Sequence, residues 1–186
     1  MEITIQILGT VGTIIAILFA VFQFYKLQKW QKSEFLLKLI NEFEENVYIA
    51  SVKLMLDWDE RDIFVENKKL VFNNELLLKA LIVPKFDDNC FNEEEKIVRD
   101  AFDAFFDYFH KLYSFSVNNV INFKDLTYFY YYFELLHNIS EYKGDEKYKE
   151  IINNYIQDYK FIGIQYFLKQ YCNNKKTQQK LILPDA

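Results

Sequence analysis

The chain has 186 residues and a formal net charge of -5, a size that fits one domain with an appendage. The acidic balance excludes a basic footprint across the domain, and with it nucleic acid as a partner. With Gly 4 and Pro 2 against 51% hydrophobic residues, the chain lacks the turns that a sandwich or barrel needs every ~8–12 residues, so an all-α fold is expected.

Residues 3–25 read ITIQILGTVGTIIAILFAVFQFY and carry no charged side chain. At ~1.5 Å per residue a helix of that length covers about 34 Å, enough to cross a ~30 Å hydrocarbon core. No basic residue precedes the run and no small-residue cleavage site ends it. It is therefore read as a retained transmembrane anchor over 1–25 rather than a signal peptide. Lys26, Lys29 and Lys32 follow directly. The positive-inside rule then predicts a single-pass protein of the bacterial inner membrane with its C-terminal part in the cytoplasm. The three lysines are placed on anionic lipid headgroups, with Phe24, Tyr25 and Trp30 as an aromatic belt at the inner interface. Gly12, Ala16 and Ala20 repeat at four-residue spacing, with Gly9 and Thr13 one row over. Such rows let helix backbones approach closely, which points to a homo-oligomer formed in the membrane.

Residues 26–172 are expected to form one cytoplasmic helical bundle, and 173–186 a polar, frayed tail. A helix over 26–56 continues from the span without Pro or Gly. Asp57, Asp59, Glu60 and Asp62 crowd its end; four acids in six residues could bind a cation, but without the spaced, glycine-bearing loop of a calcium site they read as a solvated cluster in which Arg61 pairs with a neighbouring acid. The triplets Ile63-Phe64-Val65 and Leu70-Val71-Phe72 flank Glu66-Asn67-Lys68-Lys69 and predict one short β-hairpin near 63–72. Asn73 or Asn74 caps a helix to about residue 83, stopped by Pro84. Asn92 with Glu95 has capping-box spacing and starts a helix to about residue 115. Its buried stripe is Phe102, Phe105, Phe106, Phe109 and Leu112. Asn122 caps a helix over 123–138, a turn follows at 142–145, and helices over 146–158 and 160–172 complete the bundle.

The chain has no glycine-rich phosphate loop, dinucleotide fingerprint, nucleophile elbow or CxxC pair. It is read as no enzyme, with no cofactor. Cys90 and Cys172 are too far apart in sequence for a zinc motif and read as reduced thiols. Asp103, Asp107 and His110 share one helix face. They are the candidate metal or acid–base residues, against the preferred reading of a solvated face opposite the Phe stripe. His137 ends its helix, where an imidazole meets terminal carbonyls or solvent. Tyr128, Tyr130, Tyr131 and Tyr132 cannot all face one core and are assigned to a protein-partner surface.

The span, the juxtamembrane helix over 35–61 and the aromatic pair over 101–136 carry a resemblance, with FDAFFDYF at 102–109 and VINFKDL at 120–126. The arrangement resembles the DUF4760-type group of bacterial membrane-anchored helical proteins. That resemblance implies an anchored cytoplasmic helical domain, transfers no catalytic residue, and points toward membrane-acting components of antiviral defence. The expected function is therefore an anchored, oligomerising interaction module and defence effector that touches membrane lipid. The alternative is an anchored sensor of a small ligand such as a nucleotide.

Overall fold

The computed structural model describes residues 2–65, 68–84 and 91–182 and, within them, side chains from Gly12 to Lys175. It is 79% helical with one two-stranded antiparallel sheet. The chain divides into two compact units, Met1–Asn41 and Glu42–Ala186.

Helix α1 covers Glu2–Glu45. From residue 12 to residue 31 every side chain is exposed, among them Ile15 at 61%, Leu18 at 64% and Phe22 at 62%. Within it, residues 14–22 are apolar on all sides rather than along one stripe, unlike a helix that lies on a core. The structure does not supply the expected span: among the described residues no helix is long and apolar enough to cross a membrane. The side chains of 3–11, the first part of the 3–25 run, lie outside the described residues.

In the second unit, the predicted helix over 26–56 is broken at Asn46, whose backbone is extended (φ -75, ψ 115) between α1 and helix α2, Val47–Asp57. The Asn46 side chain accepts a hydrogen bond from the Ile49 N–H at 3.1 Å, so an asparagine inside an apolar helical pattern acts as an N-cap. Strands β1, Glu60–Val65, and β2, Lys68–Asn73, pair antiparallel with Ile63 opposite Leu70. Alternation buries Ile63, Val65, Leu70 and Phe72 and turns Phe64 and Val71 outward. Lys68 and Lys69, expected in the turn, belong to β2. Lys69 Nζ lies 2.7 Å from Asp62 Oδ2. Glu66 and Asn67 lie outside the described residues. Arg61 sits over the Trp58 ring, 5.0 Å from its centroid.

Helix α3, Asn74–Ala80, is capped by the Asn73 side chain, which accepts from the Leu76 N–H at 2.8 Å. It ends before the predicted residue 83. Arg99 Nη1 donates to the carbonyls of Ala80 at 2.7 Å and Ile82 at 3.2 Å, holding the helix end open. Helix α4, Glu93–Val117, carries the predicted capping box: Asn92 Oδ1 accepts from the Glu95 N–H at 2.8 Å, and Glu95 Oε2 from the Asn92 N–H at 2.9 Å. Its expected stripe of Phe102, Phe105, Phe106, Phe109 and Leu112 is buried throughout.

The predicted helix over 123–138 is two elements, a 3-10 turn Phe123–Phe129 and helix α5, Tyr130–His137. Leu126 (φ -93, ψ 25) marks the irregularity. Helix α6, Ile139–Lys143, ends at Gly144, whose φ of 70 lies in the left-handed region that favours glycine. Helix α7 is Glu146–Asp158, and α8 runs Ile162–Ile182, beyond the predicted end at 172. Lys160 adopts φ 56 and stays outside α8.

Two features organise the packing. Phe43, fully buried near the end of α1, sits among five rings, with centroids of Tyr108 and Phe129 at 5.1 Å and Tyr132 at 5.2 Å. Phe105 and Phe109 complete the set at 5.9 and 6.1 Å. Gly163 brings α8 against the α4 backbone: a Cβ there would meet the Phe109 carbonyl oxygen and stand 2.5 Å from His110 Cα.

Candidate functional site

An open cleft of about 410 Å³ lies where the end of α2 meets α5 and α6. Asp57, Trp58 and Asp59 form one wall, Tyr131 and Leu135 of α5 another, and Tyr142 and Lys143 of α6 close it. The Trp58, Tyr131 and Tyr142 rings are half-exposed, at 54%, 50% and 55%.

Its polar groups are fixed by specific bonds. The Tyr131 hydroxyl donates to Asp57 Oδ1 at 2.5 Å, and that bond, with partial burial, lifts the phenol to about 12. Lys143 is the floor, with its side chain only 2% exposed. Its Nζ donates to the carbonyls of Met55 at 3.1 Å and Trp58 at 2.7 Å and to Asp59 Oδ1 at 3.2 Å. An ammonium has three N–H donors, so all three are spent inside the fold on the carboxyl end of α2, where a cation is favoured. Burial pulls its pKa down against the pull of Asp59. The Asn74 side chain donates to Asp59 Oδ1 at 2.9 Å. That bond first, and Lys143 second, hold the Asp59 carboxyl below its usual range.

A carboxyl depressed in the fold contributes stability above its unfolded pKa of about 3.9 and loses it as pH falls through the lower folded value. The Asp59→Asn variant should therefore melt below wild type at neutral pH, with the gap closing below about pH 4. Melting followed by circular dichroism against pH checks this, and a gap constant across that range contradicts it.

The other predicted residues fall elsewhere. Asp103 accepts from the buried Tyr155 hydroxyl at 2.6 Å, and burial pushes its carboxyl up. Asp107 and His110 are exposed. Among the described residues no three His, Cys, Asp or Glu side chains gather to hold a metal. The half-buried member of the strip, Asp103, is committed to Tyr155 of α7. His137 is half-buried with Nδ1 3.5 Å from Cys172 Sγ, and burial, then Lys149 and Lys175, hold its pKa down. Cys90 lies outside the described residues.

Of the four tyrosines, Tyr128 and Tyr131 are exposed and Tyr130 and Tyr132 are half-buried. Tyr131 lines the cleft. The Tyr128 hydroxyl bonds the Glu44 carboxylate, which also pairs with Lys53 at 2.7 Å. Tyr130 stacks on Phe123 at 5.0 Å and donates to its carbonyl, and Tyr132 packs on Phe43. Gly12, Thr13, Ala16, Ala20, Lys26 and Lys29 lie exposed on α1, Lys32 is half-exposed there, and the burial of Gly9 is outside the described set.

Sequence reasoning missed Asp57, Trp58, Asp59, Tyr142 and Lys143 as a group. The signal was a tryptophan between two aspartates at a helix end, which reads as solvated charge until α6 is folded against it.

No family model matches the chain, and neither a curated protein nor a solved structure matches it.

Proposed function

We propose that this chain is a single-pass, membrane-anchored interaction protein, its helical unit at the cytoplasmic face and its copies associated through the Gly12, Ala16 and Ala20 row. The observation that carries this reading is the exposure of Ile14, Ile15, Ile17, Leu18, Phe19 and Phe22 on one stretch of α1. Apolar surface on every side of a helix is stable only when covered, and lipid covers all sides at once. Lys26, Lys29 and Lys32 directly after it fit the cytoplasmic edge of a span, and Phe24, Tyr25 and Trp30 its interfacial belt. The alternative of a nucleotide sensor finds little support: Asp57 and Asp59 repel phosphates, and the one lysine in the cleft has no donor left for them.

Alkaline carbonate extraction of membranes from expressing cells tests the anchor. The chain should stay in the pellet and leave it only with detergent; release by carbonate overturns the reading. In detergent, light scattering should give a defined oligomer that the Gly12→Leu, Ala16→Leu double variant reduces to monomer. A wild-type monomer removes the association half of the proposal and leaves the anchor.

A further inference from the structure

We propose that the cleft at the end of α2 receives a cationic side chain, an arginine or lysine, presented by a partner protein. This rests on the reading of the helical unit as an interaction module. Four observations support it. The cleft holds about 410 Å³, ample for one long side chain and at the small end of ligand sites. Its walls set the carboxylates of Asp57 and Asp59 beside the half-exposed rings of Trp58, Tyr131 and Tyr142. Aromatic faces and carboxylates together attract a guanidinium or ammonium. The positive group in the lining, Lys143, is 2% exposed and bonded to two carbonyls and Asp59, so it neither offers donors to an anion nor fills the cleft. Finally, the chain itself seats a guanidinium on one of these rings, with Arg61 5.0 Å from the Trp58 centroid.

The cleft's openness favours a side chain over a free small molecule. Ligand pockets enclose roughly 70–90% of a small molecule's surface, whereas three rings here are half-exposed. A side chain arriving from a protein brings its own surface to cover them.

The probe is a pentapeptide, acetyl-Gly-Gly-Arg-Gly-Gly-amide, titrated into full-length protein in detergent. In a Trp30→Phe background Trp58 is the single indole, and its fluorescence reports the cleft. A saturable change is expected with the arginine peptide and at least threefold weaker binding with its neutral citrulline counterpart. Tyr142→Ala and Asp57→Asn, both at exposed positions, should each weaken binding about two- to fivefold, the range for one cation–π contact or one surface charge. Unchanged far-ultraviolet circular dichroism of each variant keeps the comparison to binding. Equal binding of the citrulline peptide, no effect of Asp57→Asn, or no saturable response overturns the inference. Methylguanidinium binding as tightly as the peptide also overturns it, in favour of a free small cation. Carbonate extraction decides the anchor separately, so either proposal can fail while the other stands.

Discussion

Gly163→Ala should destabilise the protein by about 3 kcal/mol, the upper range for overpacking a close contact. Alanine in a helix returns roughly 1 kcal/mol of propensity relative to glycine. The added Cβ, however, would meet backbone atoms, the Phe109 oxygen and His110 Cα, and backbone cannot swing aside as a side-chain tip can. Relief requires α8 to move off α4, and this interface includes Phe109 and Phe167, both fully buried. The clash outweighs the propensity. For a chain of this size the change corresponds to a melting temperature lower by about 6–12 °C. Thermal melting of the full-length protein in detergent reads it directly, and an unchanged or raised midpoint shows that the helices accommodate a methyl group.

Phe43→Ala should cost about 4 kcal/mol, within the range for deleting a buried phenylalanine. Phe43 is fully buried and touches rings contributed by α4, the 3-10 turn and α5. Its loss leaves a cavity that aromatic neighbours, fixed in edge-to-face contacts, fill poorly. Phe43→Leu keeps most of the volume and should cost less than half as much. Melting midpoints of the two variants beside wild type test the ordering, and equal losses would mean that the ring contacts add nothing to the filled volume.

Much of this fold was readable because short-range chemistry decides it. The Asn92 and Glu95 box, the Asn73 cap, the Gly144 turn and the Phe stripe of α4 each depend on residues within a few positions of one another. Some of the misses are local and others have long-range causes. Asn46 looks like a helix-interior residue until its side chain takes the Ile49 N–H. The 123–138 segment has a helical pattern, yet Leu126 is non-helical while its side chain is buried. The cleft unites residues more than seventy positions apart, Asp57 with Tyr131 and Met55 with Lys143, so no local pattern announces it. Asp103 looked like part of a surface strip because its partner, Tyr155, lies 52 residues downstream.

The two cations that hold the ends of α2 and α3 differ in when they become available. Arg99 reaches back 19 residues to the Ala80 carbonyl, whereas Lys143 reaches back 88 residues to that of Met55. A chain leaving the ribosome at about 5–20 residues per second delivers Arg99 well before Lys143. The far end of the hairpin segment is thus fastened while synthesis continues, and its near end, beside Trp58, waits several seconds for α6. During that interval the α2 carbonyls face water, and the wall bearing Asp57 and Asp59 stands without its opposite side. Recognition by the cleft is therefore a late-acquired property of the nascent chain, available only once the sequence past Lys143 has emerged.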